Sequence, residues 1–140
     1  MSAANIHASA VAFGPSRGVL ILGASGSGKS RLALALIAEG AQLVADDQVF
    51  LARSDDALFA RAPRSIEGLI EVRGLGILRV AFRRLARLVL AVDMDAEPAR
   101  LPQPHSRPLA GAALPCLPGR NDTPFAAALA RYVCTQREPH

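Results

Sequence analysis

The sequence predicts an α/β domain with a central β-sheet, and three consecutive stretches predict it. Gly18-Val-Leu-Ile-Leu22 is an aliphatic run of strand length. Gly23-Ala24-Ser25-Gly26-Ser27-Gly28-Lys29-Ser30 follows at once and satisfies G-x-x-x-x-G-K-[ST] at every fixed position. Arg31-Leu-Ala-Leu-Ala-Leu-Ile-Ala38 then supplies good helix formers. Strand, glycine loop and helix in this order are the context of a phosphate loop (P-loop, Walker A). The glycines let backbone N–H groups close round a phosphate, and the helix start adds a partial positive charge. The fold class is therefore a P-loop nucleotide-binding domain.

The remaining elements follow in order. Asn5 to Phe13 alternates loosely and ends at the turn signal Gly14-Pro15-Ser16, which reads as one strand. After the Gly18–Leu22 strand and the loop, a helix is expected over Lys29–Ala38, with Gly40 as its C-terminal cap. Gln42–Ala45 is a short strand with Asp46-Asp47 at its end. Gln48–Ala52 and Leu58–Arg61 are the arms of a hairpin turned at Ser54-Asp55-Asp56. Ser65–Glu67 forms a helical turn. Leu69–Leu78 is strand-like but broken by Gly74 and Gly76, which marks a bend or a close approach. Leu85–Val92 is another strand. Residues 97–113, with four prolines between 98 and 108, read as a loop, and Leu114–Leu117 as a short extended piece. A final helix is expected over 123–137. Asp122 or Thr123 caps it, Pro124 suits its first turn, and Phe125, Leu129, Tyr132 and Val133 share its buried face.

Composition bounds what the chain does. With 140 residues, 51% hydrophobic and 20% charged, residues 1–140 are expected to form a single folded domain. No apolar run is long enough for a membrane span, and no basic segment precedes an apolar one, so no membrane association and no signal peptide are expected. Cys116 and Cys134 lack metal-type spacing and read as free thiols of a cytoplasmic protein. The net charge is +4, but the arginines are scattered and there is one Tyr and no Trp for base stacking, so nucleic acid is not the expected partner. Lys29 is the only lysine in the chain. A compact ammonium suits the space between phosphate oxygens better than a planar guanidinium does.

Several residues can carry chemistry on phosphate. Loop amides hold the phosphates, Lys29 reaches their terminal oxygens, and the Ser30 hydroxyl ligates Mg²⁺. Asp46 and Asp47 end a strand that follows the loop helix, where a carboxylate serves either a metal or an attacking hydroxyl. Only one of the two can face the phosphates; a charged turn is the alternative for both. Glu71 and Arg73, inside Glu-Val-Arg-Gly-Leu-Gly, share a face if the segment is a strand, which suggests a mutual ion pair. If the glycines make it a curved loop, the two instead reach the reacting phosphate. His7 alone reads as a hydrogen-bonded structural residue. The cluster Arg79, Arg83, Arg84 and Arg87 is a solvated face or a docking surface.

Taken together, these pieces resemble the catalytic domain of the HPr kinase/phosphorylase family. The resemblance rests on a collinear series: His7, Gly18–Ser30, Leu43-Val-Ala-Asp-Asp47, Ala62-Pro63 and Ile70-Glu-Val-Arg-Gly-Leu-Gly-Ile-Leu78. The phosphate loop is generic; the Leu-Val-Ala-Asp-Asp and Glu-Val-Arg-Gly-Leu-Gly-Ile segments are specific. The resemblance implies transfer of phosphate from ATP, or pyrophosphate in some members, to a serine of the phosphocarrier HPr. Many members also reverse the transfer with inorganic phosphate. It implies Asp46 as the base toward the serine, with His7, Lys29 and Arg73 as active-site partners. Ser30 and Glu71 are the implied Mg²⁺ ligands, with Asp47 kept as a third metal candidate. It implies a homo-oligomer, a hexamer. The chain is similar to a short form without a separate N-terminal domain. A further active-site arginine is expected at Arg83, Arg84 or Arg87, and a region tied to dephosphorylation at Pro115–Arg120.

Two other readings remain open on the residues themselves. A small-metabolite P-loop kinase would share the loop but carry an arginine-rich lid and a different acidic motif. A non-catalytic nucleotide-binding regulatory module would bind ATP without transferring phosphate.

Overall fold

The structure is a computed structural model, and it describes residues 3–97 and 105–135. Among the described residues, eleven strands and two helices follow one another: β1 (Ala3–His7), β2 (Ser9–Ala12), β3 (Gly18–Leu22), α1 (Lys29–Ala38), β4 (Gln42–Ala45), β5 (Gln48–Ser54), β6 (Ala57–Arg61), β7 (Leu69–Val72), β8 (Gly76–Arg79), β9 (Ala86–Asp93), β10 (Ser106–Leu109), β11 (Ala112–Pro118) and α2 (Thr123–Thr135). A 3-10 turn lies at Arg64–Ile66. The main sheet runs in the order β1-β5-β6-β9-β3-β2-β4, with β11 parallel to β9 and β10 hairpinned onto β11. Strands β7 and β8 form a separate two-stranded ribbon.

Strand β3 sits inside the sheet, antiparallel to β2 and parallel to β9. All five of its residues are buried, which explains its unbroken aliphatic sequence. Its period-2 alternation divides the core. Leu20 and Leu22 enter one cluster with Val49, Leu51, Leu58 and Leu88. Val19 and Ile21 enter the other with Leu32 and Leu36 of α1 and Leu129 and Val133 of α2. On β9 the alternation slips, because Leu88 joins the first cluster and Leu90 the second. A register shift at Gly18/Val19 in the β3–β9 ladder accounts for it, with Gly18 opposite Leu88 and Val19 opposite Leu90.

Helix α1 ends as expected. Gly40 adopts φ 108°, and the Gly40 and Ala41 N–H groups return to the carbonyls of Ile37 and Leu36 at 3.0 and 3.1 Å. Helix α2 is capped by Asp122, whose Oδ1 accepts the Phe125 N–H at 2.8 Å.

Three expectations need correction. The Asn5–Phe13 run is two strands: β1 pairs with β5 while β2 pairs with β3 and β4, so the chain breaks at Ala8 to change partners. The expected loop over 97–113 contains the β10–β11 hairpin, with Ser106 opposite Pro115 and Leu109 opposite Ala112. Pro108 is tolerated in β10 because β10 is an edge strand. Tyr132 is 44% exposed, and the buried face of α2 is Ala126, Leu129, Ala130 and Val133. Residues 98–104 of that loop and 136–137 of the expected helix lie outside the described residues. Cys116 and Cys134 are free thiols. Burial pushes the Cys116 thiol above its ordinary value; Asp93 adds to this and Arg107 opposes it.

Candidate phosphate-transfer site

The phosphate loop joins the C-terminal end of β3 to the start of α1, and a cleft of about 770 Å³ opens beside it. His7, Ser25, Gly26, Gly28, Lys29, Ser30, Asp47, Glu71 and Arg73 all line this cleft. The sheet brings them together. His7 ends β1 and pairs in register with Gln48, which places it against the turn carrying Asp47. Glu71 and Arg73 arrive on the β7–β8 ribbon, whose inner residue Ile70 is fully buried in the helix-side core.

Within the loop, Lys29 is only 6% exposed. Its Nζ donates to the carbonyls of Gly23 and Ala24, both at 2.9 Å. Gly28 has φ 99°, and a Cβ there would collide with the Asn121 side chain. Ser27 Oγ is buried without a hydrogen-bond partner among the described residues.

Asp46 and Asp47 take opposite directions. Asp46 is 6% exposed. Its Oδ1 accepts the Ser9 hydroxyl at 2.8 Å and the Ser30 hydroxyl at 2.7 Å, and its Oδ2 accepts the Glu71 N–H at 3.3 Å. Asp46, the base the resemblance implies, is not itself among the residues lining the cleft, but the three it bonds, Ser9, Ser30 and Glu71, are. Asp47 is the exposed one, with its Oδ1 3.2 Å from His7 Nδ1. His7 Nε2 in turn lies 3.3 Å from Ser25 Oγ of the phosphate loop. The turn that redirects Asp47 is strained: Gln48 N–H returns to Asp46 O at 2.9 Å across a three-residue γ-turn, with Asp47 at φ 73°. Such a conformation costs about 1–3 kcal/mol and concentrates at functional sites.

Ser30 Oγ and the carboxylates of Asp47 and Glu71 line one cleft and are the hard oxygen donors Mg²⁺ takes, although among the described residues no three acidic or histidine side chains converge on a single point. Glu71 and Arg73 form no ion pair with each other among the described residues, because Arg73 sits in the turn of the ribbon rather than on its strand. Arg83 and Arg84 are engaged elsewhere, with Gln42 Oε1 at 3.1 Å and Glu67 Oε2 at 3.3 Å. Neither they nor Arg87 line the cleft. At the other candidate region, Arg120 pairs with Asp122 at 2.9 Å, and the next residue, Asn121, lines the cleft.

Sequence reasoning missed three contributors. Ser9 anchors Asp46, and only the strand break at Ala8 reveals that it turns inward. Asn121 packs on Gly28, and Asp95 holds the loop amide of Ala24. Both come from loops more than sixty residues away in the chain, so no local spacing announces them.

Comparison with known proteins agrees with this geometry. Residues 2–84 match the family model described as the HPr Serine kinase C-terminal domain. A relative from Halalkalibacterium halodurans, named HPr kinase/phosphorylase, is 45% identical over 86 residues, covering 56% of this chain and 28% of its own. One of the same name from Aromatoleum aromaticum is 42% identical over 124 residues, covering 74% of this chain and 40% of its own. The chain thus spans well under half the length of these curated relatives. A solved structure, the Hpr(Ser) kinase/phosphatase from Coxiella burnetii, superimposes with a TM-score of 0.77 at 29% identity, covering 92% of this chain and 95% of that one. With this fold, this loop and these motifs, the chain belongs to the HPr serine kinase C-terminal domain family.

Proposed function

We propose that this chain is a cytoplasmic, homo-oligomeric protein-serine kinase that transfers phosphate from ATP, or from pyrophosphate, to HPr or an HPr-like phosphocarrier. The same site would run the reverse transfer with inorganic phosphate. The observation that carries the reading is Asp47: an exposed carboxylate, held by His7 in a strained turn, at a cleft it shares with Lys29 and Ser30.

A serine hydroxyl is a poor nucleophile near neutral pH, so a carboxylate at the cleft must take its proton as the new bond to phosphorus forms. The geometry favours Asp47 for this role over Asp46. Asp47 is reachable from the cleft, whereas Asp46 already accepts two hydroxyls and an amide. His7 orients Asp47. In the reverse direction Asp47 returns the proton to the departing serine oxygen. Lys29 leaves the Gly23 and Ala24 carbonyls to meet the terminal phosphate, and Arg73 adds positive charge from the ribbon turn. Ser30 and Glu71, with Asp47 as a third candidate, are the residues that would hold Mg²⁺. When bound, Mg²⁺ supplies charge neutralisation on the phosphate oxygens.

The test mixes the purified protein with Mg-ATP and HPr proteins from several sources and looks for phosphoserine by mass spectrometry. Transfer to one serine is expected, and added inorganic phosphate should remove it with release of pyrophosphate. Tight ATP binding without transfer to any HPr would replace this reading with that of a non-catalytic nucleotide module. Transfer to a small metabolite instead would make it a small-molecule kinase.

A further inference from the structure

A carboxylate outside the proposed transfer machinery reaches the phosphate loop. The Ala24 N–H donates to Asp95 Oδ2 at 2.8 Å. That N–H belongs to the same peptide unit as the Gly23 carbonyl, which accepts from Lys29 Nζ at 2.9 Å. One peptide plane is therefore gripped at both ends, by a carboxylate on its N–H and an ammonium on its C=O. Both grips polarise the amide in the same sense, so each strengthens the other. The Ala24 carbonyl gives Lys29 its second contact, also at 2.9 Å.

The turn that carries Asp95 is fastened through its neighbours Met94 and Asp93. The Met94 N–H donates to Leu22 O at 2.8 Å, which fastens the turn after β9 to the end of β3. The Asp95 N–H donates to Asp93 Oδ1 at 2.9 Å. Asp93 Oδ2 accepts from Arg107 Nη1 of β10 at 3.1 Å, and the Gly119 N–H donates to Asp93 O at 2.9 Å. Gly119 leaves no room for a side chain, because a Cβ there would collide with Val92 and Met94. A series of contacts thus runs from the β10–β11 hairpin through Arg107, Asp93 and Asp95 to the phosphate loop. A negative side chain beside an anion site opposes phosphate binding through space, so placing one there is useful only if it fixes geometry.

We propose that Asp95 is a positioning residue of the phosphoryl-donor site. By pinning the Ala24 N–H it fixes the Gly23–Ala24 peptide, and with it the resting place from which Lys29 meets the incoming phosphates. Arg107 and Asp93 make that position depend on the β10–β11 hairpin. This rests on the reading of the loop as the donor site.

The test is a direct titration of the full chain with Mg-ATP and with pyrophosphate, followed by steady-state kinetics at saturating HPr. Asp95→Ala should raise the donor Kd and KM on the order of tenfold, the size expected for losing one hydrogen bond to a charged group, with kcat little changed. Asp95→Asn should restore donor binding close to wild type, since an amide oxygen accepts the same N–H. Arg107→Gln should weaken donor binding in the same direction but less. A purely structural role would lower the melting temperature of Asp95→Ala without separating KM from kcat and without rescue by Asn. Unchanged donor affinity in Asp95→Ala, or an Asn variant as weak as the Ala variant, would overturn the proposal. The titration needs no acceptor, so absence of transfer to HPr with donor binding intact counts against the proposed function alone. Absence of donor binding by the wild-type chain would overturn both.

Discussion

The carboxylates of Asp46 and Asp47 diverge: Asp46 Oδ1 takes the hydroxyls of Ser9 and Ser30 at 2.8 and 2.7 Å, while Asp47 Oδ1 lies 3.2 Å from His7 Nδ1. The turn at Asp47, with φ 73°, achieves this within a single residue. Strain is spent to put one acid into the cleft and leave the other bonded to Ser9 and Ser30. Replacing Asp47 should therefore separate stability from activity. Asp47→Asn, Asp47→Ala and Asp47→Gly should each lower transfer by about a hundredfold or more, the usual worth of a positioned base, with nucleotide binding retained. Asp47→Gly should unfold in urea about 1 kcal/mol later than Asp47→Ala, because glycine accepts a positive φ without a Cβ clash. Equal stability of the two would mean that the turn is not strained, and full activity of Asp47→Asn would return the base role to Asp46.

Asp46 should behave in the opposite way, as a residue on which the site's architecture depends. Its removal leaves the Ser9 and Ser30 hydroxyls and the Glu71 N–H without their acceptor. Asp46→Ala should lose about 2–3 kcal/mol in urea unfolding, in line with orphaning buried donors of a charged acceptor. Asp46→Asn keeps an acceptor oxygen and should lose less, while weakening the Mg²⁺ dependence of nucleotide binding. A wild-type unfolding curve for Asp46→Ala would show that this network adds nothing.

Gly28 tests the loop itself. Its φ of 99° excludes a side chain on conformational grounds, and Asn121 fills the space where a Cβ would go. Gly28→Ala should abolish nucleotide binding as read by calorimetry. The double variant Gly28→Ala with Asn121→Gly should not recover it, because clearing the clash leaves the backbone strain in place. Recovery in the double variant would show that the steric clash alone forbids the alanine.

These residues also mark how far the sequence alone could be read. The β3–loop–α1 unit was legible because its rules are local: an aliphatic run, fixed glycine spacings and a lysine, all within thirteen residues. Gly40 was legible as a cap for the same reason, and the cap of α2 as Asp122 or Thr123, of which Asp122 makes the bond. The split at Ala8 was not, because the residues either side suit strands equally well, and only their partners, β5 on one side and β3 with β4 on the other, distinguish them. The β10–β11 hairpin was hidden by prolines, which signal a loop everywhere except at a sheet edge. That one of two adjacent aspartates faces the cleft follows from strand geometry. Which one does so depends on the backbone at Asp47, and no side-chain pattern encodes that.

The cap at Asp122 carries the clearest dependence on pH. Its carboxyl is held below the ordinary carboxylate value, first by accepting the Phe125 N–H, with burial opposing and Arg120 assisting. A carboxyl lowered on folding adds stability that is present above its unfolded value and is lost as pH falls through its lower folded value. Asp122→Asn keeps an oxygen at the cap but never carries the charge. The wild-type chain should therefore melt above Asp122→Asn at neutral pH, and the gap should hold down to about pH 5. It should close as the solution is acidified below the ordinary carboxylate value of about 4. Thermal melts of the two proteins from pH 7 to pH 2.5 measure the gap directly, and other acid-sensitive groups cancel in the difference. A gap that stays constant across that range would mean that the cap works through its hydrogen bond alone, with no contribution from its charge.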